Sequence, residues 1–138
     1  MLFRSEQVWF CGVHCDVGGS YPADPDGTAL SDLTLGWMMS KASALGLQFV
    51  PAVQAKYARP MEPKLALDTK HESWNIAWTF PKRRPIAANA SIADSVFVRS
   101  EHDSSYRPGN LKFSGADPDP GYQKVPVVTQ LAAAAGRA

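Results

Sequence analysis

The feature that most constrains this chain is an apolar run near its start, Glu6-Gln7-Val8-Trp9-Phe10-Cys11-Gly12-Val13. The run is rich in β-branched and aromatic residues and shows no sustained alternation of apolar and polar side chains. This pattern predicts a strand buried on both faces, as in a parallel sheet. A lone strand cannot satisfy its own backbone groups. The run therefore predicts that the chain is part of a larger structure.

A helix is predicted soon after this strand. Ser31 suits the N-cap position, and Asp32 in the first turn suits the helix dipole. Gly46 stands where a helix commonly ends. The apolar residues that fall on one side at helical spacing are Leu30, Leu33, Trp37, Met38, Ala42 and Leu45. Strand, polar loop and helix follow one another in the order of an α/β unit.

Short elements and much loop are expected over the rest of the chain, because the 138 residues include ten glycines and eleven prolines. Short helices are expected around residues 52–58, 71–80 and 92–99. Residues 113–138 have the character of a turn-rich, flexible tail. The expected fold class is α/β, with one core strand followed by several short helices and loops.

Charge and hydropathy exclude several classes of protein. The net charge is +1, so there is no broad electrostatic attraction for nucleic acid. No apolar run is long enough to cross a bilayer or to serve as a signal peptide. The two cysteines, Cys11 and Cys15, do not make a disulfide framework. We expect a protein of the cytoplasm, or one exported without a signal peptide.

His14 is the first candidate for chemistry, because it comes directly after the predicted strand. Ligands collect at the carboxyl ends of the strands in open α/β sheets, and histidine has the intrinsic pKa of a general base near neutrality. A loop histidine bonded to nearby backbone explains the same residue. A metal cluster of Cys11, His14, Cys15 and Asp16 is a third reading, although its spacing is not that of a zinc finger or knuckle.

The segment EQVWFCGVHCDVGGSY, from Glu6 to Tyr21, resembles the signature V-W-F-x-G-V-H-S-D-V-G-G-G-Y. That signature belongs to a widespread α/β-hydrolase family, which includes the Tle-type phospholipase effectors of bacterial type VI secretion. Further similarities to family elements follow in order along the chain. They are L-S-D-x-x-L-x-W-M at Leu30 to Met38, H-x-S at His71 to Ser73, S-V-x-x-R at Ser95 to Arg99, and Y-x-P-x-N-L at Tyr106 to Leu111.

The resemblance implies a serine hydrolase with its nucleophile on a G-x-S-x-G elbow, followed in chain order by an acid and a histidine. By position in the motif, His14 matches the triad histidine, which takes the serine proton and returns it to the leaving group. Asp16 matches the motif aspartate and is expected to support the loop through the backbone of Gly18 and Gly19. His71 is interpreted as a cap or loop residue. The implied chemistry needs no cofactor and no metal.

Two departures from the signature are Cys15 in place of serine and Ser20 in place of the third glycine. No G-x-S-x-G occurs in the 138 residues, and few residues precede the motif. We therefore expect residues 1–112 to be the carboxyl-terminal portion of an α/β-hydrolase-like domain that supplies the triad histidine and lacks the serine and the acid.

The implied function is lipase- or phospholipase-like hydrolysis of a lipid or phospholipid ester, with the chain inactive on its own. The alternative is a non-catalytic binding or interaction module, or a gene fragment without function, derived from such a hydrolase. The expected partners are a lipid ester substrate and either a complementing chain or a second copy of this one. Self-association is expected because a core strand that lacks its neighbours leaves its edges unpaired. No nucleic acid partner is expected.

Overall fold

Three short parallel strands organise the fold. The computed structural model describes residues 5–57, 62–72 and 83–127. Within these ranges the strands are β1 (Val8–Trp9), β2 (Ser91–Ala93), β3 (Phe113–Ser114), β4 (Asp117–Pro118) and β5 (Gln123–Val125). Strands β1, β2 and β5 form one parallel sheet in that order, and β3 pairs with β4 as a separate antiparallel ladder. Val8 is in register with Ser91, and Ile92 with Lys124.

A helix follows each of the first two strands of the sheet, α4 directly after β2 and α1 after a short connection from β1. The helices of the described residues are α1 (His14–Gly18), α2 (Ser31–Ala44), α3 (Pro51–Tyr57) and α4 (Asp94–His102), and a 3₁₀ helix spans Pro63–Leu67. Because β1 and β2 run parallel, the starts of α1 and α4 lie at the same edge of the sheet. No helix within the described ranges is long and apolar enough to span a bilayer.

The expectation of a single core strand is wrong, because the sheet has three strands. The small parallel sheet with several helices is compatible with the predicted α/β class. The first strand, Val8–Trp9, is also shorter than the strand that the apolar run led us to expect. Gly12 adopts φ +103°, which turns the chain away from the strand direction, and the polar stretch that follows forms α1 instead of a loop.

Helix α2 has the predicted position, and its buried face is nearly the predicted one. Leu33 and Trp37 are buried, and the Phe10 ring meets the Trp37 ring edge-on at 5.8 Å. This contact fixes the rotation of the helix so that Met39 is buried, whereas Met38 is 55% exposed. The prediction that Met38 faces the core is therefore wrong.

The predicted cap of α2 also differs from the observed one. Ser31 is the first helical residue and not the N-cap. The carboxylate of Asp32 instead accepts a hydrogen bond from the Ala29 N–H at 3.2 Å. The acidic side chain thus pairs with the N–H of the residue just before the N-cap, and its negative charge lies at the helix start, where the helix dipole favours it.

The packed structure extends beyond the predicted boundary at residue 112. Residues 113–127 carry β3, β4 and β5, and the side chains of Tyr122 and Val127 lie in the core. The Tyr122 hydroxyl accepts a hydrogen bond from the Lys112 N–H, and the Val127 N–H donates to Asp94 Oδ1 at 3.0 Å. The part of the expected tail that the structure describes is therefore tied to the sheet. The predicted helix over 71–80 lies mostly outside the described residues.

Candidate active site

His14 is the first residue of α1, and its side chain is exposed. Among the described residues, no hydrogen bond or ion pair reaches its ring. A triad histidine needs a carboxylate on one ring nitrogen to hold its tautomer and orientation. Within the described ranges, no carboxylate is bonded to the His14 ring.

Asp16, two residues further on, is buried, with its side chain 1% exposed. Its Oδ2 atom accepts a hydrogen bond at 2.9 Å from the N–H of Val13, the residue that precedes α1. This bond satisfies one of the free N–H groups at the helix start. No hydrogen bond from the backbone N–H groups of Gly18 or Gly19 to the Asp16 carboxylate is found among the described residues, so the bonds expected there are absent from this part of the chain.

The main partner of the Asp16 carboxylate is His71. The His71 ring Nδ1 lies 2.7 Å from Asp16 Oδ1, and the His71 backbone N–H donates to Oδ2 at 3.1 Å. The two residues are 55 positions apart in the chain. Two bonds to one buried carboxylate fix both the backbone and the ring of His71. This is the geometry of a histidine oriented by an acid.

The aromatic ring of Tyr21 completes the surroundings of His71. The two rings stack, with centroids 3.8 Å apart and planes inclined by 16°. Tyr21 is the last residue of the signature segment, so Asp16 and Tyr21 together connect that segment to His71. The ring is held by a hydrogen bond at one edge and by an aromatic surface on one face.

The hydrogen-bonding pattern determines what the His71 ring can do. A carboxylate accepts only, so Nδ1 carries the proton that it donates to Asp16. When the ring is neutral, the second nitrogen, Nε2, has a lone pair available. No partner for Nε2 is found among the described residues, and the His71 side chain is 31% exposed. His71 is thus arranged to accept a proton at Nε2 from a group outside the described structure.

Sequence reasoning missed the contact between His71 and Asp16. The H-x-S element marked the residue, but nothing local in the sequence connects it to Asp16. The available signal was the acidic residue in an otherwise apolar and glycine-rich motif, since a buried carboxylate needs a partner.

Gly12 is required by the position of Asp16. A Cβ on Gly12 would lie 2.5 Å from the Cβ of Asp16, and its φ of +103° is one that side-chain-bearing residues rarely adopt. Gly19 also has a positive φ, +80°, and ends α1, with its N–H bonded to the Cys15 carbonyl. Gly18 has open space around it and an ordinary φ. Of the two glycines predicted to support the loop, only Gly19 needs its conformational freedom.

We expect Gly12→Ala to destabilise the protein by about 2–4 kcal/mol, because it adds both backbone strain and a clash with Asp16. Gly18→Ala is the matched control. It adds the same methyl group in open space and is expected to change the free energy of unfolding by less than about 1 kcal/mol. Urea unfolding of the two variants measures both effects. If both variants lost the same free energy of unfolding, the packing of Asp16 would not require glycine at position 12.

The metal interpretation of the signature finds no support within the described ranges. No group there of three or more histidine, cysteine, aspartate or glutamate side chains is arranged to hold an ion. Cys11 is 2% exposed, and its burial raises the pKa of the thiol to about 11. A thiol with this pKa is protonated at neutral pH, whereas metal ligation needs the thiolate.

A second carboxylate, Asp24, holds the backbone that leads to His71. Asp24 Oδ2 accepts a hydrogen bond from the Thr69 N–H at 2.9 Å, and this bond lowers the pKa of Asp24 below its usual 3.8. A carboxyl whose pKa is depressed by folding stabilises the fold above the unfolded pKa, and this stabilisation is lost as the pH falls through the folded pKa.

Asp24→Asn is accordingly expected to lower stability at about pH 6, with the difference from the wild type shrinking toward zero at about pH 2. Urea unfolding at several pH values between these limits measures the difference. A difference that stays constant with pH would contradict the assignment.

Comparison with known proteins places the signature in a family. Residues 3–41 match the family model described as "T6SS, Phospholipase effector Tle1-like, catalytic domain". The resemblance predicted from the sequence is confirmed over this segment, which carries Asp16, Tyr21 and most of α2. The match supports a relationship to phospholipase-like hydrolases. No curated protein and no solved structure matches the chain.

Proposed function

We propose that this chain supplies the acid and the general base of a serine hydrolase that cleaves lipid esters. Asp16 is the acid and His71 is the base. The observation that carries the proposal is the 2.7 Å contact between His71 Nδ1 and the buried carboxylate of Asp16, within a segment that matches a phospholipase catalytic domain.

In this proposal, Asp16 keeps the proton of His71 on Nδ1 and stabilises the imidazolium that forms during reaction. His71 Nε2 takes the proton of the attacking serine, and the serine oxygen bonds to the ester carbonyl carbon. The resulting imidazolium then donates that proton to the leaving alcohol. Water later cleaves the acyl-enzyme by the same route.

The serine is proposed to come from outside these 138 residues, because no G-x-S-x-G occurs among them. Two groups that could act as nucleophiles, Cys15 and Ser31, line a small cavity with His71. That cavity measures only about 10 Å³, about the smallest volume that holds one water molecule and too small for an ester group. An ester group therefore has no access to either residue from this side.

The proposal changes the role first predicted for His14. The order expected from the family is serine, acid, histidine, and Asp16 followed by His71 satisfies the last two places. With Asp16 as the acid, the chain holds two triad members instead of one. His14 is left as an exposed residue at the start of α1.

The sheet supports the proposal of a larger hydrolase domain. Within the described ranges, β1 pairs with β2 on one side only. Its other edge has backbone donors and acceptors that a neighbouring strand can pair. A strand leading to a G-x-S-x-G elbow would bring its serine toward the same edge of a parallel sheet as α1.

The test is fluorophosphonate labelling of this chain fused to the elbow-bearing segment of a Tle1-like hydrolase. We expect labelling of the elbow serine in the fusion, loss of labelling in His71→Gln, and retention in the control His14→Gln. The chain without the elbow segment is expected to remain unlabelled. Labelling that survives His71→Gln and is lost in His14→Gln would contradict the proposal.

A further inference from the structure

A cavity of about 460 Å³ is lined by residues that neighbour the Asp16–His71 pair in the chain or bond to it. Its volume falls in the range of sites that bind small molecules, about 300–1,000 Å³. Gly12 and Val13 belong to the lining, and the Val13 N–H donates to Asp16. Lys70 and Glu72, the chain neighbours of His71, belong to it as well. The cavity therefore adjoins the segments that hold Asp16 and His71.

Part of the cavity lining is apolar. It comes from β1 and the residue after it, from the segment that ends in β2, from α4 and from the loop after α4. The apolar side chains are Trp9, Phe10, Ile86, Ile92, Val96 and Leu111. Such a surface gains free energy by covering a hydrocarbon chain, about 25 cal/mol per Å² buried. The cavity can therefore take an alkyl group.

Two arginines that line the cavity have no acidic partner within the described residues. Arg83 has an exposed side chain that lies against Gly109, and no ion pair neutralises it. Arg107 stacks its guanidinium on the Phe113 ring at 4.6 Å and donates to the Tyr106 carbonyl at 2.8 Å. Its remaining N–H groups stay available, since a guanidinium has five donors.

The acidic groups of the lining are already engaged. Glu72 forms an ion pair with Lys70. Asp103 accepts hydrogen bonds from the backbone N–H and the hydroxyl of Ser105, which lower the pKa of its carboxyl. The carboxylate of Asp103 keeps its negative charge, because its donors are neutral. The lining therefore carries Lys70, Arg83 and Arg107 against Glu72 and Asp103, a net charge of +1 that favours an anionic ligand. Planar guanidinium groups suit phosphate and carboxylate oxygens.

We propose that this cavity binds an anionic amphiphile, with Arg83 and Arg107 on its phosphate group and the apolar lining around its alkyl chain. The inference rests on the proposed function in one respect. If the chain is part of a lipid hydrolase, this cavity is the site that makes the enzyme prefer lipids with anionic headgroups. The binding itself does not depend on catalysis and can be measured on the chain as it is.

The test is calorimetric titration of the purified chain with dodecyl phosphate, below its micelle concentration. We expect dodecyl phosphate to bind at least about tenfold more tightly than inorganic phosphate, which lacks the chain. The affinity for dodecyl phosphate should also exceed that for dodecylphosphocholine by a similar factor, because the added positive charge of the choline group is repelled by the arginines. Arg83→Gln and Arg107→Gln are each expected to weaken binding about tenfold, the effect of losing one charge-assisted hydrogen bond.

Arg84→Gln is the matched control, because Arg84 is exposed, adjacent to Arg83 and outside the lining. It is expected to leave the affinity unchanged within about twofold. If Arg84→Gln weakened binding as much as Arg83→Gln and Arg107→Gln, the effect would come from general surface charge, and the proposal would be overturned. Equal affinity for inorganic phosphate or for dodecylphosphocholine would also overturn it. The tautomer of His71 tests the proposed function separately, so failure of one is distinguishable from failure of the other.

Discussion

Asp16→Asn is expected to lower the hydrolysis rate of the fused enzyme about 10⁴-fold and to destabilise the fold by about 2–4 kcal/mol. The carboxylate is 1% exposed and accepts bonds from the Val13 N–H, the His71 N–H and the His71 ring. An asparagine amide keeps one oxygen and replaces the other with donors, so it cannot accept all of these bonds. The ring then loses the partner that keeps its proton on Nδ1. Ester hydrolysis and urea unfolding measure the two effects.

Asp26→Asn is the control for this substitution. Asp26 also accepts two hydrogen bonds, from the N–H and the hydroxyl of Thr28, but its side chain is exposed. We expect it to cost less than about 1 kcal/mol and to leave the rate unchanged. An Asp16→Asn enzyme with the wild-type rate would remove Asp16 from the catalytic pair, whatever its stability.

The second large effect is expected at Arg99, in the S-V-x-x-R element. Arg99 is 5% exposed; its Nε donates to the Ala66 carbonyl at 2.7 Å, and its Nη2 donates to the Asp68 carbonyl. These carbonyls lie just ahead of His71 in the chain. Arg99→Ala leaves one buried and one half-buried carbonyl unpaired and opens a cavity, so we expect the free energy of unfolding to fall by about 3–5 kcal/mol.

The same substitution at exposed Arg84 is the control and is expected to cost less than about 0.5 kcal/mol. Urea unfolding of both variants gives the comparison. If Arg99→Ala were as stable as Arg84→Ala, the hydrogen bonds from Arg99 would not be what holds the segment before His71.

The sequence predicted the parts of the fold that are local. Helix α2 has a periodic apolar face and a terminal glycine, so its position could be predicted to within a residue or two. Strands β2 and β5 could not be predicted, because three residues are too few to show a period of two. Strand β2 is stabilised by pairing with β1 on one side and β5 on the other. Such pairing depends on the tertiary structure and not on the local sequence.

The site was predicted only in part for a similar reason. The motif drew attention to His14, the histidine nearest the strand, whereas the structure connects Asp16 to a histidine 55 residues away. Two local signals were available but were not combined. One was the aspartate in the signature, and the other was His71 in the H-x-S element. Only the folded chain brings them into hydrogen-bond distance.

Whether Asp16 orients His71 as a base can be measured by ¹⁵N NMR of the imidazole rings in the purified chain. The three histidines are assigned with single His→Gln variants. We expect neutral His71 to carry its proton on Nδ1, with Nε2 unprotonated, and Asp16→Asn to abolish this preference. This expectation would be contradicted if His71 behaved as a free histidine in both proteins, or if Asp16→Asn altered the tautomer of His14 and left that of His71 unchanged.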